Sequence, residues 1–562
     1  MKSSTEPGTL ITQRLRHLIV LAALPLFTHW LMQAPVEPIF YGDSNRHVVT
    51  SIFFRDLLTD LPLSHPRQYA EEYYEQYPAL GLLVWPPLFH GACGFLMLIF
   101  GTSAGVARSL VAASFVSSAL SVFRLTKKAG NEETATAATI LFSILPIVFS
   151  YSRDVMLEMP TLALVLLSVE SFTGWLEENR SRSLYAASVF AALAALTRFD
   201  AVLLIPFYAC MLTFHRKWRQ LICRHTIPAV VVAVVMLAPV YAVILKEAGQ
   251  LHLRQASESV GGSVDGTPNA LFAAKNLTFY PMALVEQCGW LTAMLCPAGL
   301  LIALMKPGRN TQSVFFSLAV ATYVTFTPLA ELRSRHAIYW LPSAAWFSVV
   351  AVKWCIDQLS GCTSRTVSSS PEGGTSVRSG RVVFVNAIVY SILFAATSRA
   401  SLAQPSWRVE GYSAAAEFVL RNTEPGDKVF FDGWWDGNFT YHMRHLDATR
   451  SRYVVRGDRL LYDFVCIPST DFQQHVETEQ EMLQALSDAN PVYVVIENPQ
   501  FYETIEIAER LRKLIASMPE VFEPAQTIPV KTTLESFPRF ELQIFRFHRH
   551  QAERALTQRT PE

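Results

Sequence analysis

Apolar runs on the scale of a lipid bilayer recur through the first 400 residues or so of the chain. A helix needs about 20 mostly apolar residues to cross the hydrocarbon core. Runs that meet or approach this length stand at 17–35, 105–124, 135–151, 159–176, 184–198, 201–214, 227–245, 282–305, 312–329, 336–355 and 382–399. Pro87 to Phe100 is a shorter apolar piece, too short to span, that begins behind Trp85-Pro86-Pro87, a forced helix start. Past residue 400 the pattern changes. Short β-type runs at Lys428–Asp432 and Val492–Glu497 interleave with helical patterns at Ser413–Asn422 and Thr504–Met518, and Glu424-Pro425-Gly426-Asp427 marks a turn. The pattern predicts an α-helical polytopic membrane domain over 1–400 and a small α/β domain over 401–562.

Positive charge orients the spans. Basic residues collect at Arg14/Arg16, Arg124/Lys127/Lys128, Arg180/Arg182, Arg216/Lys217/Arg219/Arg224, Lys306/Arg309 and Arg365/Arg378/Arg381. These fall on one side of the membrane only if Pro87–Phe100 does not cross it. It therefore reads as an interfacial or re-entrant helix, which leaves about eleven spans, a cytoplasmic N-terminus and an extracytoplasmic C-terminal domain. The first apolar run is too long for a cleaved signal peptide, and no A-x-A site follows it. The Ser/Gly-rich stretch Gly361–Gly380 reads as a cytoplasmic linker.

Composition narrows the classes. Hydrophobic residues make up 51% of the 562-residue chain and charged residues 17%, against about 25% charged in soluble domains. Intrinsic disorder is excluded, because it needs low hydrophobicity and high net charge. Lys plus Arg and Asp plus Glu number 47 each, so the charge balance makes no case for nucleic acid as a partner. The eight cysteines form no C-x-x-C pair and read as apolar filler. Asn276-Leu277-Thr278 and Asn438-Phe439-Thr440 match the glycosylation acceptor pattern, which occurs often by chance.

In this topology the polar groups of interest gather at outer turns. Asp43, in Tyr41-Gly42-Asp43-Ser44, meets water directly after the first span; it also suits the N-cap of the helix that follows. Arg153, Asp154 and Glu158 occupy a tight turn before Pro160, where they are either solvated and favoured by the helix dipole or part of a site. Arg333, Arg335 and His336 run against the positive-inside bias. A lipid phosphate is one reason for them, since arginine binds phosphate oxygens in bidentate fashion; pairing with Glu331 or with head groups is the other. Arg198 and Asp200, at another outer turn, read as paired with each other or with nearby charges.

Taken in order, these clusters resemble the GT-C superfamily of polytopic glycosyltransferases. The likeness is to the subgroup holding the rhizobial lipopolysaccharide galacturonosyltransferases, the lipid A aminoarabinose transferase and the protein O-mannosyltransferases. It rests on Tyr41-Gly42-Asp43, on the W-P-P-L-F start that leads through Phe100-Gly101-Thr102-Ser103 to Val106-Ala107-Arg108-Ser109, on Met156-Leu157-Glu158-Met159-Pro160, and on the run from Arg335 through Tyr339 to Pro342. The chain departs from the family pattern where Ser44 follows Asp43 in place of a second acid, where Glu158 stands for the usual Asp, and where His336 follows Arg335 with Tyr339 displaced.

The resemblance implies a membrane glycosyltransferase of the bacterial inner membrane. It would transfer a sugar, with inversion, from a polyprenyl-phosphate donor to a glycan, lipid or protein acceptor of the cell envelope. Such a reaction needs a base for the acceptor hydroxyl and positive charge for the leaving phosphate. Asp43 and Glu158 are the expected catalytic carboxylates. Arg333, Arg335, His336, Tyr339 and Arg153 are the expected donor-phosphate ligands, and Asp43, Asp154 and Glu158 a site for Mg or Mn. The competing class is a non-enzymatic transporter or flippase of lipid-linked sugars. That class places charges within spans and often shows internal repeats, whereas here the charges sit at outer turns and no repeat is visible.

Overall fold

The structure, a computed structural model, describes residues 43–261, 263–264, 267–268, 273–305, 312–329, 332–366, 374–404, 409–467, 469–500, 505–533 and 539–559. The expected span at 17–35, the Lys306/Arg309 cluster and Glu331 lie outside the described residues. By internal contacts the chain forms two units. One comprises Trp85–Leu88 and Ser109–Gln404; the other comprises 43–84, Phe89–Arg108 and the chain from 409 onward. The compositional change near 400 is thus one edge of the second unit, and its other edges fall within the first 110 residues.

The first unit is helical. Three helices among the described residues are long and apolar enough to cross a membrane: Ala104–Ala129, Glu158–Glu178 and Thr226–Gln250. Shorter apolar helices are Phe199–Phe214, Trp290–Met305 and Ser313–Phe326; a fourth, Leu88–Phe100, belongs past Leu88 to the second unit. Thr226–Gly261 exposes Val230, Val231, Val234 and Val235 where a helix in water carries polar side chains.

Several apolar runs fold into two elements, not one. The run 135–151 divides into Glu132–Ser143 and Pro146–Tyr151, because Pro146 has no N–H to continue the ladder and starts a new helix from an extended Leu145. The run 282–305 divides into Ala274–Cys288 and Trp290–Met305 at Gly289, whose φ of +78° ends the first helix. The run from 336 begins as a 3₁₀ turn, Ser334–Trp340, that leads into Leu341–Thr366. The segment expected to be a linker is helical at both ends, since this helix reaches Thr366 and the next, Gly374–Leu402, begins eight residues on. Trp290–Met305 packs closely on Leu341–Thr366, and a Cβ on Gly299 would overlap the Phe347 carbonyl.

The second unit is built on a six-stranded mixed sheet. Across it the order is Val409–Glu410, Phe522–Thr532, Phe540–Phe547, Tyr493–Asn498, Lys428–Asp432 and Tyr453–Arg456. The first three pairings are antiparallel and the last two parallel. Side chains alternate between faces with the period of a strand. Val429 and Phe431 pack with Tyr412, Trp435 and Phe439 on one face, while Phe430 packs with Leu483, Leu486 and Leu511 on the other. Helices therefore cover both faces.

This unit also takes in the Ser44–Asp60 and Pro66–Gln76 helices, which the tail's sequence does not contain. Ser44–Asp60 lies on Asp436–Leu446 and presents a buried polar face. Asn45 Nδ2 donates to Asn438 Oδ1 at 3.2 Å. Arg444 Nε reaches Asp56 Oδ2 at 3.0 Å and its Nη2 reaches the same oxygen, while the Tyr73 hydroxyl donates to it at 2.7 Å. Arg450 forks onto the two oxygens of Asp60 at 2.7 and 3.0 Å. Asn438 and Asn276 are each about 1% exposed and hydrogen-bonded, so neither glycosylation pattern presents a surface acceptor.

Candidate active site

Glu158 opens the Glu158–Glu178 helix and is only 1% exposed, so its carboxylate needs compensation within the protein. Arg198 supplies it. Its Nη1 lies 2.7 Å from Glu158 Oε1, and its Nε lies 2.7 Å from Asp200 Oδ2. The Tyr339 hydroxyl donates to Asp200 Oδ2 at 3.3 Å. Arg335 Nε approaches Glu158 Oε1 at 3.7 Å. Two guanidiniums and two carboxylates thus form one cluster without net charge, with Arg335, 27% exposed, as its most accessible side chain.

Local structure explains how distant segments meet here. Ala192 and Ala194 carbonyls end the Ser181–Ala195 helix, and the chain turns through an extended Arg198 into the 3₁₀ turn Phe199–Leu203. That extended residue directs its guanidinium between the carboxylates of two different elements. The Ser334–Trp340 turn is fixed in place by Trp340, whose Nε1 donates to Gln287 Oε1 at 2.7 Å, and by Gln287 Nε2, which donates to the Ser334 carbonyl at 2.6 Å. Tyr339 stacks on Phe326 with ring centres 5.8 Å apart, which aims its hydroxyl at Asp200.

Of the expected residues in this unit, the cluster joins Glu158, Arg335 and Tyr339. Arg153 instead sits over the Phe149 ring at 4.0 Å and donates through Nε to the Phe149 carbonyl at 3.2 Å. Asp154 Oδ1 accepts from its neighbour's amide, Val155 N, at 2.8 Å. His336 packs its ring against Phe326, 5.9 Å between centres, and Arg333 is exposed. Arg198 and Asp200 read in sequence as paired with each other or with nearby charges; that they are linked to Glu158 and Tyr339 depends on packing.

Asp43 belongs to the second unit and precedes the Ser44–Asp60 helix. Its side chain makes no cap hydrogen bond, although its carbonyl accepts from His47 N at 3.0 Å, so the capping role that its sequence position allows is not used. Nearby, Arg46 and Arg456 both reach Asp436, at 3.5 and 2.8 Å.

Asp43, Asp154 and Glu158 are the residues expected to hold Mg or Mn. Among the described residues no three His, Cys, Asp or Glu side chains gather as a ligand set. Glu158 Oε1 is taken by Arg198, with a second guanidinium beside it, and Asp154 Oδ1 accepts from backbone.

The fold is that of the GT-C membrane glycosyltransferases. ArnT from Cupriavidus metallidurans, solved bound to undecaprenyl phosphate, superposes with a TM-score of 0.58 at 12% identity, over 96% of this chain and 98% of that one. The oligosaccharyltransferase of Archaeoglobus fulgidus in its apo form gives 0.53 at 14% identity, over 93% and 75%. The arabinofuranosyltransferase AftD from Mycobacteria gives 0.51 at 13%, over 95% of this chain but 40% of the larger neighbour. Residues 85–245 match the family model described as dolichyl-phosphate-mannose-protein mannosyltransferase. No curated protein matches the chain by sequence.

Proposed function

We propose that the chain is an integral-membrane glycosyltransferase. It moves a sugar from a polyprenyl-phosphate donor to a cell-envelope glycan, lipid or protein on the extracytoplasmic side of a bacterial inner membrane. The observation that carries this reading is the cluster of Arg198, Asp200 and Arg335 around the buried Glu158 on a GT-C fold. The undecaprenyl phosphate bound to the ArnT neighbour supports the class of donor.

In the proposed reaction Asp43 takes the proton of the acceptor hydroxyl, or orients it, as the donor's anomeric carbon–oxygen bond breaks. Arg335, with Arg333 and His336 on the same segment, meets the negative charge that builds on the departing phosphate. Glu158 contributes the fixed carboxylate beside that positive charge. The short Leu88–Phe100 helix, with Phe95, Ile99 and Phe100 exposed, lies in the interface along the isoprenoid. No step is assigned to a metal ion.

The experiment is a transfer assay on membranes that contain the chain, supplied with polyprenyl-phosphate sugars, with the products read by mass. Wild type is expected to consume one donor and to mark one class of acceptor. Asp43→Asn should lower the rate by about 10²–10⁴-fold, the usual range for loss of a general base, with membrane insertion unchanged. Arg335→Ala should raise the apparent KM for donor. Near-normal transfer by Asp43→Asn removes that residue from the mechanism, and a wild type that transfers no sugar from any such donor ends the proposal.

A further inference from the structure

The Glu158 carboxylate is used on one side only. Oε1 accepts from Arg198 and faces Arg335, while Oε2, equally buried, has no hydrogen-bond partner among the described residues. A buried acceptor left without a donor costs about 1–3 kcal/mol, so the fold maintains it against a penalty. Arg198 is what keeps it so. Its guanidinium is held at both ends, by Glu158 through Nη1 and by Asp200 through Nε, and Asp200 is held in turn by the Tyr339 hydroxyl. Nε and Nη1 are thereby committed to carboxylates, and Arg198 fixes which oxygen of Glu158 points away from the cluster.

We propose that Arg198 and Asp200 are positioning residues for Glu158, and that Glu158 Oε2 is the seat of a sugar hydroxyl. The assignment rests on the transferase reading for the identity of the ligand. An anion is repelled at a carboxylate oxygen, so the phosphate is excluded from this position and falls to the Arg335 side. A neutral hydroxyl donates one hydrogen bond to Oε2 without disturbing the balance of two guanidiniums and two carboxylates. The cluster therefore separates the two ends of a sugar phosphate, hydroxyl to Oε2 and phosphate to Arg335.

Two readouts on the full-length chain in membranes test this. In the transfer assay, Asp200→Asn and the charge-balanced pair Arg198→Gln/Asp200→Asn should each lower kcat by at least about tenfold. KM for the lipid donor should stay within about twofold, and the unfolding midpoint of the double variant within a few degrees of wild type. Asp200→Glu should recover part of the rate. Independently of activity, a membrane-permeant carbodiimide, with peptide mapping by mass, should label Glu158 slowly in wild type, where ion pairing to Arg198 protects it, and severalfold faster in the double variant. Faster labelling in a chain that transfers no sugar supports the positioning pair and ends only the transferase reading. A double variant that transfers at the wild-type rate, or whose Glu158 labels no faster, overturns the pair. A fall in kcat that tracks a matching fall in unfolding midpoint assigns the pair a purely structural role and overturns the proposal as well.

Discussion

Some buried charges in this protein are compensated by partners that lie far away in sequence. Asp56 is fully buried; its Oδ2 is met by Arg444, 388 residues on, and by the Tyr73 hydroxyl, and its Oδ1 by the adjacent Arg55 at 2.7 Å. Removing one member of a buried pair costs about 3–5 kcal/mol where nothing else compensates the charge left behind; here Arg55 and, at 3.7 Å, Arg450 stay beside Asp56. Arg444→Met is therefore expected to lower the denaturation midpoint by less than that full penalty, and the double change Asp56→Leu/Arg444→Met to recover part of the loss; equal midpoints for the single variant and wild type would discount the pair. Glu497 is a different case. It accepts from the Tyr412 hydroxyl at 2.6 Å and from the amides of Trp434 and Trp435 at 2.8 and 3.0 Å, yet burial outweighs these bonds and pushes its carboxyl up from 4.5 to about 7. A carboxyl raised in the folded state holds its proton more tightly there than in the unfolded chain. Its contribution is complete below pH 4.5 and is lost as pH rises through about 7. Unfolding midpoints between pH 5 and 8 should fall in wild type and fall less steeply in Glu497→Gln. At this scale, Glu158 and Arg335 could be singled out from position beside apolar runs. Asp56, Arg444 and Glu497 could not, because a lone acid or base in a soluble-looking stretch carries no mark of burial.

Among the elements, prolines and glycines decide where apolar runs become helices. Pro146 and Gly289 each divide a run that hydropathy alone treats as continuous. Hydropathy averages over a window and so is insensitive to one residue that lacks an N–H or takes a positive φ. Gly299 works through contact, because the facing Phe347 carbonyl occupies the space of a Cβ. Gly299→Ala should lower the unfolding midpoint by several degrees through separation of Trp290–Met305 from Leu341–Thr366. Gly249→Ala, whose new Cβ would meet nothing closer than 3.9 Å, should leave the midpoint unchanged or slightly raised. If both behave alike, close packing at Gly299 is not what limits stability. The strands at Lys428–Asp432 and Tyr493–Asn498 and the helices Tyr412–Arg421 and Glu506–Ser517 lie where alternation and periodicity put them, to within a residue or two. Each satisfies its own backbone bonds or those of an adjacent strand, so local pattern suffices.

For the whole molecule, the order of basic clusters and outer carboxylates predicts sidedness. Ser64 and Arg219 are both exposed and lie on opposite sides in that topology. In a chain otherwise free of reactive cysteines, Ser64→Cys should label with an impermeant thiol reagent added from outside, and Arg219→Cys only after the membrane is opened; the reverse pattern would overturn the orientation and with it the outward site. The membrane class, the change of character near residue 400 and the positions of most helices follow from the sequence by itself, because burial in lipid and strand alternation are imposed residue by residue along the chain. Two things waited on the tertiary structure. Helices from 43–84 complete the C-terminal unit by burying a polar face on Asp436–Leu446, and Arg198 ties Glu158 to Asp200 and Tyr339. Both are pairings of polar groups across long separations, and a charge reveals its partner only once packing has removed the water that would otherwise serve in its place.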